Sequence, residues 1–305
     1  MALASASWEA ESAIGTVPEG TRTPEVLAFM PRLFVLTTLP HRRPQGNRFE
    51  RLNGWQSLRI VAPRRIGLPY GVYARLLLIF ITTEAVRKKS REIHLGATPN
   101  DLARKLGLSV VSGPRGTARR LEAQVRKLTS TTWTWQSAGP TSPFSGTRRS
   151  APTVAPSLHS FALSLGLPGT NWRSSLLLHE NFFSEITRSA VPVDLRAVHQ
   201  LKVSPLALDL YTWLTYRMSY LRKPTLVPWR GLRAQLGGDY GRPRDFRRIA
   251  LARLEDVVTA YPELRIRGEK GGVRLYPSPP HIKSLALKTG ATPVRLPDFV
   301  RRSSH

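Results

Sequence analysis

Residues 98–135 read TPNDLARKLGLSVVSGPRGTARRLEAQVRKLTSTTWTW. Thr98-Pro99-Asn100-Asp101 carries a helix-start signature: a hydroxyl to cap, proline at the first helical position, and an acid three residues after the cap. Leu102 and Leu106 then fall on one face, and Gly107 ends the helix. After the turn Gly113-Pro114-Arg115-Gly116, the spacing of Ala118, Leu121, Val125 and Leu128 predicts a second helix over 117–128. Thr131-Thr132-Trp133-Thr134-Trp135 has strand composition and is expected to open a hairpin. Its two tryptophans suit a sheet face packed on a helix better than a platform for stacked bases.

Working outward, Tyr73, Leu76, Leu77, Phe80 and Ile81 mark a helix before this stretch, with Pro69 near its start, and Glu92 to Leu95 a short strand. The same order then returns about 130 residues later. Asp194 caps a short helix. Ser204-Pro205 starts a longer one, with Leu206, Leu210, Trp213, Leu214 and Met218 on its apolar side. A strand at 225–229, a short helix ending at Gly237 and a long helix from Pro243 to Tyr261 follow. The core side of the long helix is read as Phe246, Ile249, Leu254, Val257 and Tyr261. Leu264 to Arg267 and Val273 to Leu275 close the repeat as a hairpin. Short identities support a duplication: Leu102-x-x-x-Leu106-Gly107 against Leu232-x-x-x-Leu236-Gly237, and Arg119-Arg120-Leu121 against Arg247-Arg248-Ile249. Helix, strand, two helices and hairpin is the order of a winged helix, so the expected fold is α+β, mostly helical, with two tandem winged-helix domains. The boundaries read as a flexible N-terminal arm at 1–60 (with a short helix or strand near 26–36), a first domain at 61–190, a second at 191–282, and a basic tail at 283–305. A Ser/Pro/Thr/Gly-rich loop at 137–157 interrupts the first domain, whose returning strands are expected near 158–165 and 174–178.

Forty-six Lys and Arg against twenty Asp and Glu leave a formal charge of +26. Such an excess repels itself in a compact chain unless a polyanion neutralises it. Arginine predominates, and its planar fork suits phosphates and guanine edges. A basic chain from a GC-rich genome is the plain alternative, and the placement of the arginines argues against it. In a helix-turn-helix the second helix enters the major groove with its N-terminal residues at the base edges. In the first domain Arg115, Arg119, Arg120, Arg126 and Lys127 lie off the apolar stripe of that helix. In the second, Arg244 and Arg248 lie about 160° from Phe246, counting roughly 100° per residue. Arg247 lies on the flank and Arg242 at the helix start. A solvated charged face explains either helix singly, but not two at matching positions with few acids nearby. Arg265, Arg267, Lys270 and Arg274 mark the second hairpin as a wing on the backbone or minor groove, or as an ordinary polar surface hairpin. His41, Arg42, Arg43, Arg48, Arg51, Arg59, Arg64 and Arg65 make the arm basic.

Other functions fare poorly. No GxxxxGK[ST] loop, no HExxH pair and no His-apolar-His motif occurs among seven scattered histidines, so neither an ATPase, a metalloenzyme nor a metal-dependent origin-nicking enzyme is expected, and no cofactor is called for. The chain has no cysteine, which suits a reducing cytoplasm and excludes disulfides and thiolate zinc sites. Residues 1–20 do not read as an export signal, and the apolar run at 76–81 is far too short to span a bilayer.

Long motifs also resemble the plasmid-encoded RepA replication initiators of Gram-negative bacteria. They are Leu68-Pro69-Tyr70-Gly71, Arg75-Leu76-Leu77-Leu78, Thr82-Thr83-Glu84-Ala85-Val86-Arg87, Ser90-Arg91-Glu92-Ile93-His94-Leu95-Gly96, Val191-Pro192-Val193-Asp194-Leu195-Arg196, Ser204-Pro205-Leu206-Ala207-Leu208-Asp209, Tyr211-Thr212-Trp213-Leu214-Thr215-Tyr216-Arg217-Met218, Asp245-Phe246 and Pro277-Ser278. The resemblance spans roughly 66–136 and 180–282. It implies binding to repeated double-stranded sites in a plasmid origin, opening of the duplex and recruitment of the host helicase and initiator machinery. It also implies an initiating monomer and a homodimer that represses its own promoter. A transcriptional repressor of the same fold is the main alternative.

Overall fold

In the computed structural model, the described residues are 26–53, 56–137, 172, 174–237 and 240–282. The expected helix starts are all present. Thr98 and Asp101 form a reciprocal capping box: the Asp101 amide donates to Thr98 Oγ1 at 3.1 Å, and the Thr98 amide to Asp101 Oδ2 at 2.9 Å. Asp194 accepts from the Arg196 amide at 2.9 Å, and Ser204 from the Ala207 amide at 3.3 Å with Pro205 in the first turn.

The chain runs β1 (Leu27–Pro31), α1 (Arg32–Leu36), β2 (Arg48–Asn53), β3 (Gln56–Val61), α2 (Gly71–Lys88), β4 (Glu92–His94), α3 (Pro99–Lys105), α4 (Thr117–Thr129) and β5 (Thr132–Ser137). It continues as β6 (Ser175–Leu177), α5 (Glu180–Ser189), β7 (Ala190–Asp194), α6 (Leu195–Leu201), α7 (Pro205–Met218), β8 (Thr225–Pro228), α8 (Trp229–Leu236), α9 (Pro243–Ala260), β9 (Ile266–Gly268) and β10 (Gly272–Leu275). The architecture is mixed α/β. Helix, strand, helix, helix and two further strands occur at α2 to β6 and again at α7 to β10. In the second unit, β8 from between the helices joins the β9–β10 hairpin as a three-stranded antiparallel sheet ordered β8-β10-β9.

Two expectations change. First, residues 26–60 are not a flexible arm. β1 pairs with β7 from Leu27↔Asp194 to Pro31↔Ala190, and Leu33, Phe34, Val35 and Leu36 of α1 are buried. Their apolar surface is consumed by distant partners on α2, β5, β7 and α7, which local composition does not register. The short helix or strand expected near 26–36 is both, in succession. Residues 1–25 lie outside the described set, as do 138–171 and 283–305, so the remainder of the arm, most of the 137–157 loop, the 158–165 strand and the tail fall there. Second, the return strand expected at 158–165 lies outside the described residues, and within them β5 is joined to an earlier strand. It pairs with β3 in the sheet β2-β3-β5, in the register Leu58↔Trp135 and Ile60↔Trp133, while β6 pairs with β4. The alternation Leu58/Ile60 on β3 supplies the buried face opposite Trp133 and Trp135, and Phe34 meets Trp133 edge-on at 5.1 Å. Both tryptophans are core residues. Helix α5 was not anticipated, because its cap is a histidine: His179 Nδ1 accepts from the Asn181 amide at 3.4 Å.

The duplication reaches further upstream than the sequence suggested. A strand and short helix precede α2 (β1, α1), as they precede α7 (β7, α6), and the equivalent strands β1 and β7 pair antiparallel. Helices α2 and α7 also touch each other. Arg75 and Asp209 are each the fifth residue of their helices and meet in a two-pronged ion pair, with Nε–Oδ1 and Nη2–Oδ2 both 2.6 Å. Equivalent strands pairing antiparallel and equivalent helices meeting at equivalent residues are what an approximate internal two-fold requires.

Both ends of this pair are buried to 2% exposure or less. Arg75 spends its remaining donors on main-chain oxygens: Leu39 at 2.8 Å, Gly71 at 2.9 Å and Pro40 at 3.1 Å. His41 Nε2 lies 2.7 Å from Asp209 Oδ2. Burial alone would push the Asp209 carboxyl up, but Arg75 and His41 outweigh it and hold the group below its ordinary value. Deleting one partner of such a pair strands the other, so Asp209→Ala is expected to cost about 3–5 kcal/mol in urea unfolding. Arg75→Met with Asp209→Leu is expected to recover only part of that loss, since it leaves no charge of the pair behind but deprives the oxygens of Leu39, Pro40 and Gly71 of their donor.

Acid should act in two separable windows. Burial, and then Lys202, lower His199 from 6.5 to about 4, so the folded chain resists a proton that the unfolded chain accepts. Stability is therefore full above 6.5 and declines as the pH falls toward about 4. Asp209 behaves as a depressed acid. Its contribution is complete above the unfolded value of 3.8 and is lost only as the pH falls through its lower folded value. Urea midpoints followed from neutral pH downward should show the first decline, and His199→Gln should flatten it while leaving the later one.

Candidate nucleic-acid interface

Helix α4 is aimed by its start. Thr117 Oγ1 donates to Ser109 O at 2.7 Å, and the Thr117 amide to Val111 O at 3.0 Å. A Cβ on Gly116 would lie 2.3 Å from Val111 O, so glycine is needed at that close approach. Leu121, Gln124 and Leu128 are buried while Ala118 and Val125 are half-buried, close to the expected stripe. Gln124 also ties α4 to the foot of α2, accepting from the Tyr70 amide at 3.1 Å. The opposite face carries the cations. Arg115, Arg119, Arg120 and Arg126 are exposed, and Lys127 is half-buried. Two of them rest on rings: the Arg120 guanidinium lies 4.8 Å from the Tyr73 centroid, and the Lys127 ammonium 4.5 Å from that of Tyr70.

Helix α9 is set on α8 through Gly237, where a Cβ would fall 2.3 Å from the Phe246 ring. Arg233 of α8 donates to Tyr240 O at 2.9 Å and Gly241 O at 3.2 Å, fixing the loop that delivers Arg242. Phe246, Ala250, Leu254, Val257 and Ala260 form the buried side. Ala250 therefore takes the inward place that Ile249 was expected to fill, and Ile249 is half-buried beside it. Arg242, Arg244 and Arg248 are exposed; Arg247 is half-buried, 5.6 Å above the Trp229 ring. Trp229 also donates from Nε1 to Glu269 O at 3.0 Å, so one indole links the cationic flank of α9 to the hairpin turn.

On the hairpin Arg265, Arg267 and Lys270 are exposed. Arg274 is not equivalent to them. It is engaged by Glu269 at 2.5 Å and 3.0 Å, and that hydrogen bond holds the Glu269 carboxyl below its ordinary value. Arg265 bonds Pro277 O at 2.6 Å while its residue stays exposed. The thirteen cations expected from the sequence thus fall into two groups, one on α4 and one on α9 with its hairpin. α4 packs on α2 and α9 on α7, so the α2–α7 contact, with the β1–β7 pairing and the packing of α8 on β2, sets the spacing between the groups.

The basic residues of the supposed arm divide differently. His41 and Arg51 are buried, at 6% and 4% exposure, and serve the core; Arg51 reaches Thr38 O at 3.5 Å and covers Phe49. Arg43, Arg64 and Arg65 instead line a cleft with Lys127. Nothing local in the sequence joins positions 43, 64 and 127; only the folded chain does. Among the described residues, no group of three or more His, Cys, Asp or Glu could hold a metal ion, and no helix is long and apolar enough to cross a membrane.

The family model described as plasmid encoded RepA protein matches residues 68–227, just over half of the chain. No curated protein matches by sequence. Among solved structures, the crystal structure of selenomethionine derivatives of domains 2 and 3 of RctB is similar, with a TM-score of 0.50 at 13% identity over 81% of this chain and 98% of that one. A second crystal structure of RctB domains 2–3 gives a TM-score of 0.47 at 14% identity, over 79% and 93%. At such identity the likeness speaks for the fold alone; the family assignment rests on the sequence model. By that match, the chain belongs to the plasmid-encoded RepA family of replication initiators.

Proposed function

We propose that this chain initiates plasmid replication by binding repeated double-stranded sites in the origin through two tandem winged-helix units, without catalysing a reaction itself. The observation that carries the reading is the matched pair of exposed cationic faces on α4 and α9. Each belongs to the second helix of a helix pair, in a chain of a replication-initiator family. The β8-β10-β9 sheet supports calling the second unit a winged helix, with the β9–β10 turn as its wing. In the first unit the wing role falls to the end of the β2-β3-β5 sheet, since β5 pairs there.

In this reading α4 and α9 enter successive major grooves on one face of the duplex. Arg115, Arg119 and Arg120, and likewise Arg242, Arg244, Arg247 and Arg248, sit at the helix starts, where base edges come within reach. Arginine presents two parallel donors to guanine O6 and N7. Arg265, Arg267 and Lys270 then hold phosphates. Arg274 contributes less, because Glu269 already neutralises it. The reading includes opening of the duplex, recruitment of the host helicase and initiator proteins, and self-repression as a homodimer, for all of which the support is the resemblance to plasmid RepA initiators. The cytoplasm is the compartment where these partners meet.

The test supplies the protein in trans to a plasmid whose only origin is the repeat-containing region beside the gene. The wild type should support replication. Arg247→Ala with Arg248→Ala should abolish it, weakening repeat binding by about 10- to 100-fold with an unchanged unfolding midpoint. The footprint of one protomer should cover about two turns, roughly 20 bp. With roughly six to ten phosphates engaged, affinity should fall about 10³- to 10⁵-fold between about 50 and 200 mM salt. Tight repeat binding without replication would make the chain a repressor, and protection of a single turn would rule out docking by both units.

A further inference from the structure

The cleft beside the C-terminal end of α4 has a volume of about 650 Å³, and its cations are Arg43, Arg64, Arg65 and Lys127. Among the described residues, no carboxylate lines it. The ion pairs formed among the described residues include none of these four. Four cations held together without a counter-charge are costly unless an anion joins them.

The walls are built rather than accidental. The loop leading into β2 and the one leaving β3 are locked by a reciprocal pair: Asn47 Nδ2 donates to Ala62 O at 3.0 Å, and the Ala62 amide to Asn47 O at 2.9 Å. Beyond that lock, the amides of Ile66 and Gly67 both donate to Pro63 O at 3.0 Å, closing the turn that presents Arg64 and Arg65. Gly46 and Gly67 have φ of +78° and +76°, and a Cβ on either would meet nothing within 4 Å, so the mouth is open at both turns. Lys127 is fixed above Tyr70. Burial, then Arg43 and Arg126, hold its ammonium below the ordinary value, a strain that a bound anion relieves.

Geometry says which anion arrives. α4 has 13 residues, about 20 Å of helix, whereas the major groove is only about 12 Å wide and 8.5 Å deep. A straight helix that enters with its first turn at the base edges and slants across a groove of that width, curving around the duplex, brings its last turn to the rim, and what lines the rim is phosphate. We propose that the Arg43–Arg64–Arg65–Lys127 cleft is a phosphate-binding site that seats the sugar–phosphate backbone of duplex DNA where α4 leaves the groove. This rests on the DNA-binding reading above and adds a contact that carries no sequence information. It also gives the loops before β2 and after β3 a role in affinity.

The test uses the full chain and its Arg64→Ala plus Arg65→Ala variant. Both arginines are exposed on a turn, so an unchanged unfolding midpoint is expected and is measured first. Binding is then followed by fluorescence anisotropy on a duplex of arbitrary sequence across a salt series. The variant should bind about tenfold more weakly, and the slope of log K against log salt should be smaller by about one to two. Equal affinity and equal slope in the two proteins would overturn the cleft while leaving the DNA reading intact. If the wild type itself shows no salt-dependent duplex binding, it is the DNA reading that fails. Inorganic phosphate and ATP, tested without DNA, separate the sources. Stabilisation of the wild type but not the variant by ATP at micromolar levels would assign the cleft to a free nucleotide and overturn the backbone assignment.

Discussion

The rest of the structure depends on one buried ion pair. An arginine and an aspartate withdrawn from water lose hydration worth several kcal/mol each, and only near-complete bonding compensates. Arg75 meets that condition, with five hydrogen bonds for its five N–H donors: two to Asp209 and three to main-chain oxygens at 39, 40 and 71. Such a pair tolerates little displacement. It therefore fixes how α2 meets α7, and it pins the segment at 39–41 through the same guanidinium and through His41. Since α4 rests on α2 and α9 on α7, the separation of the two cationic helices is inherited from this contact together with the β1–β7 ladder, rather than set by a linker.

A second constraint acts on the cations themselves. Arg120, Lys127 and Arg247 each lie over an aromatic ring. A long flexible side chain gives up rotamer freedom when it binds, at roughly 0.5–1.5 kcal/mol for each one immobilised. Resting on a ring restricts that freedom beforehand without neutralising the charge, so less remains to be lost on contact. The Glu269–Arg274 pair also orders its arginine, but by cancelling the charge. Neighbouring basic residues on one small hairpin thus differ in what they can offer an anion.

Where a signal is local, the sequence carried it. Thr98, Asp194 and Ser204 announced their helices because capping depends on residues two or three apart. The α4 and α9 faces were readable because helical period converts spacing into direction. Where the determining contact is distant, reading failed. Residues 26–60 looked like an arm because β1 finds β7, and β3 finds β5, far along the chain. His41 and Arg51 counted as part of a basic arm for the same reason, since only the fold shows them buried. Ile249 was placed inward by a count of roughly 100° per residue, but Ala250, four residues after Phe246 and four before Leu254, holds that place and Ile249 flanks it. The cleft at Lys127 could not be found at all without knowing that three separated loops and helix ends converge.

The internal two-fold is one of backbone and not of side chains: Arg75 faces Asp209, and the cations of α4 differ in number and spacing from those of α9. Two identical subunits about a dyad present the same outline from either end and so match a palindrome. A single chain with unlike halves has a front and a back. Laid on a duplex, it would distinguish the two directions of travel along the double helix, and chains on successive sites of the same orientation would all point one way. A row of that kind has chemically distinct ends, which is what an assembly needs if later events are to begin on one side of it and not the other.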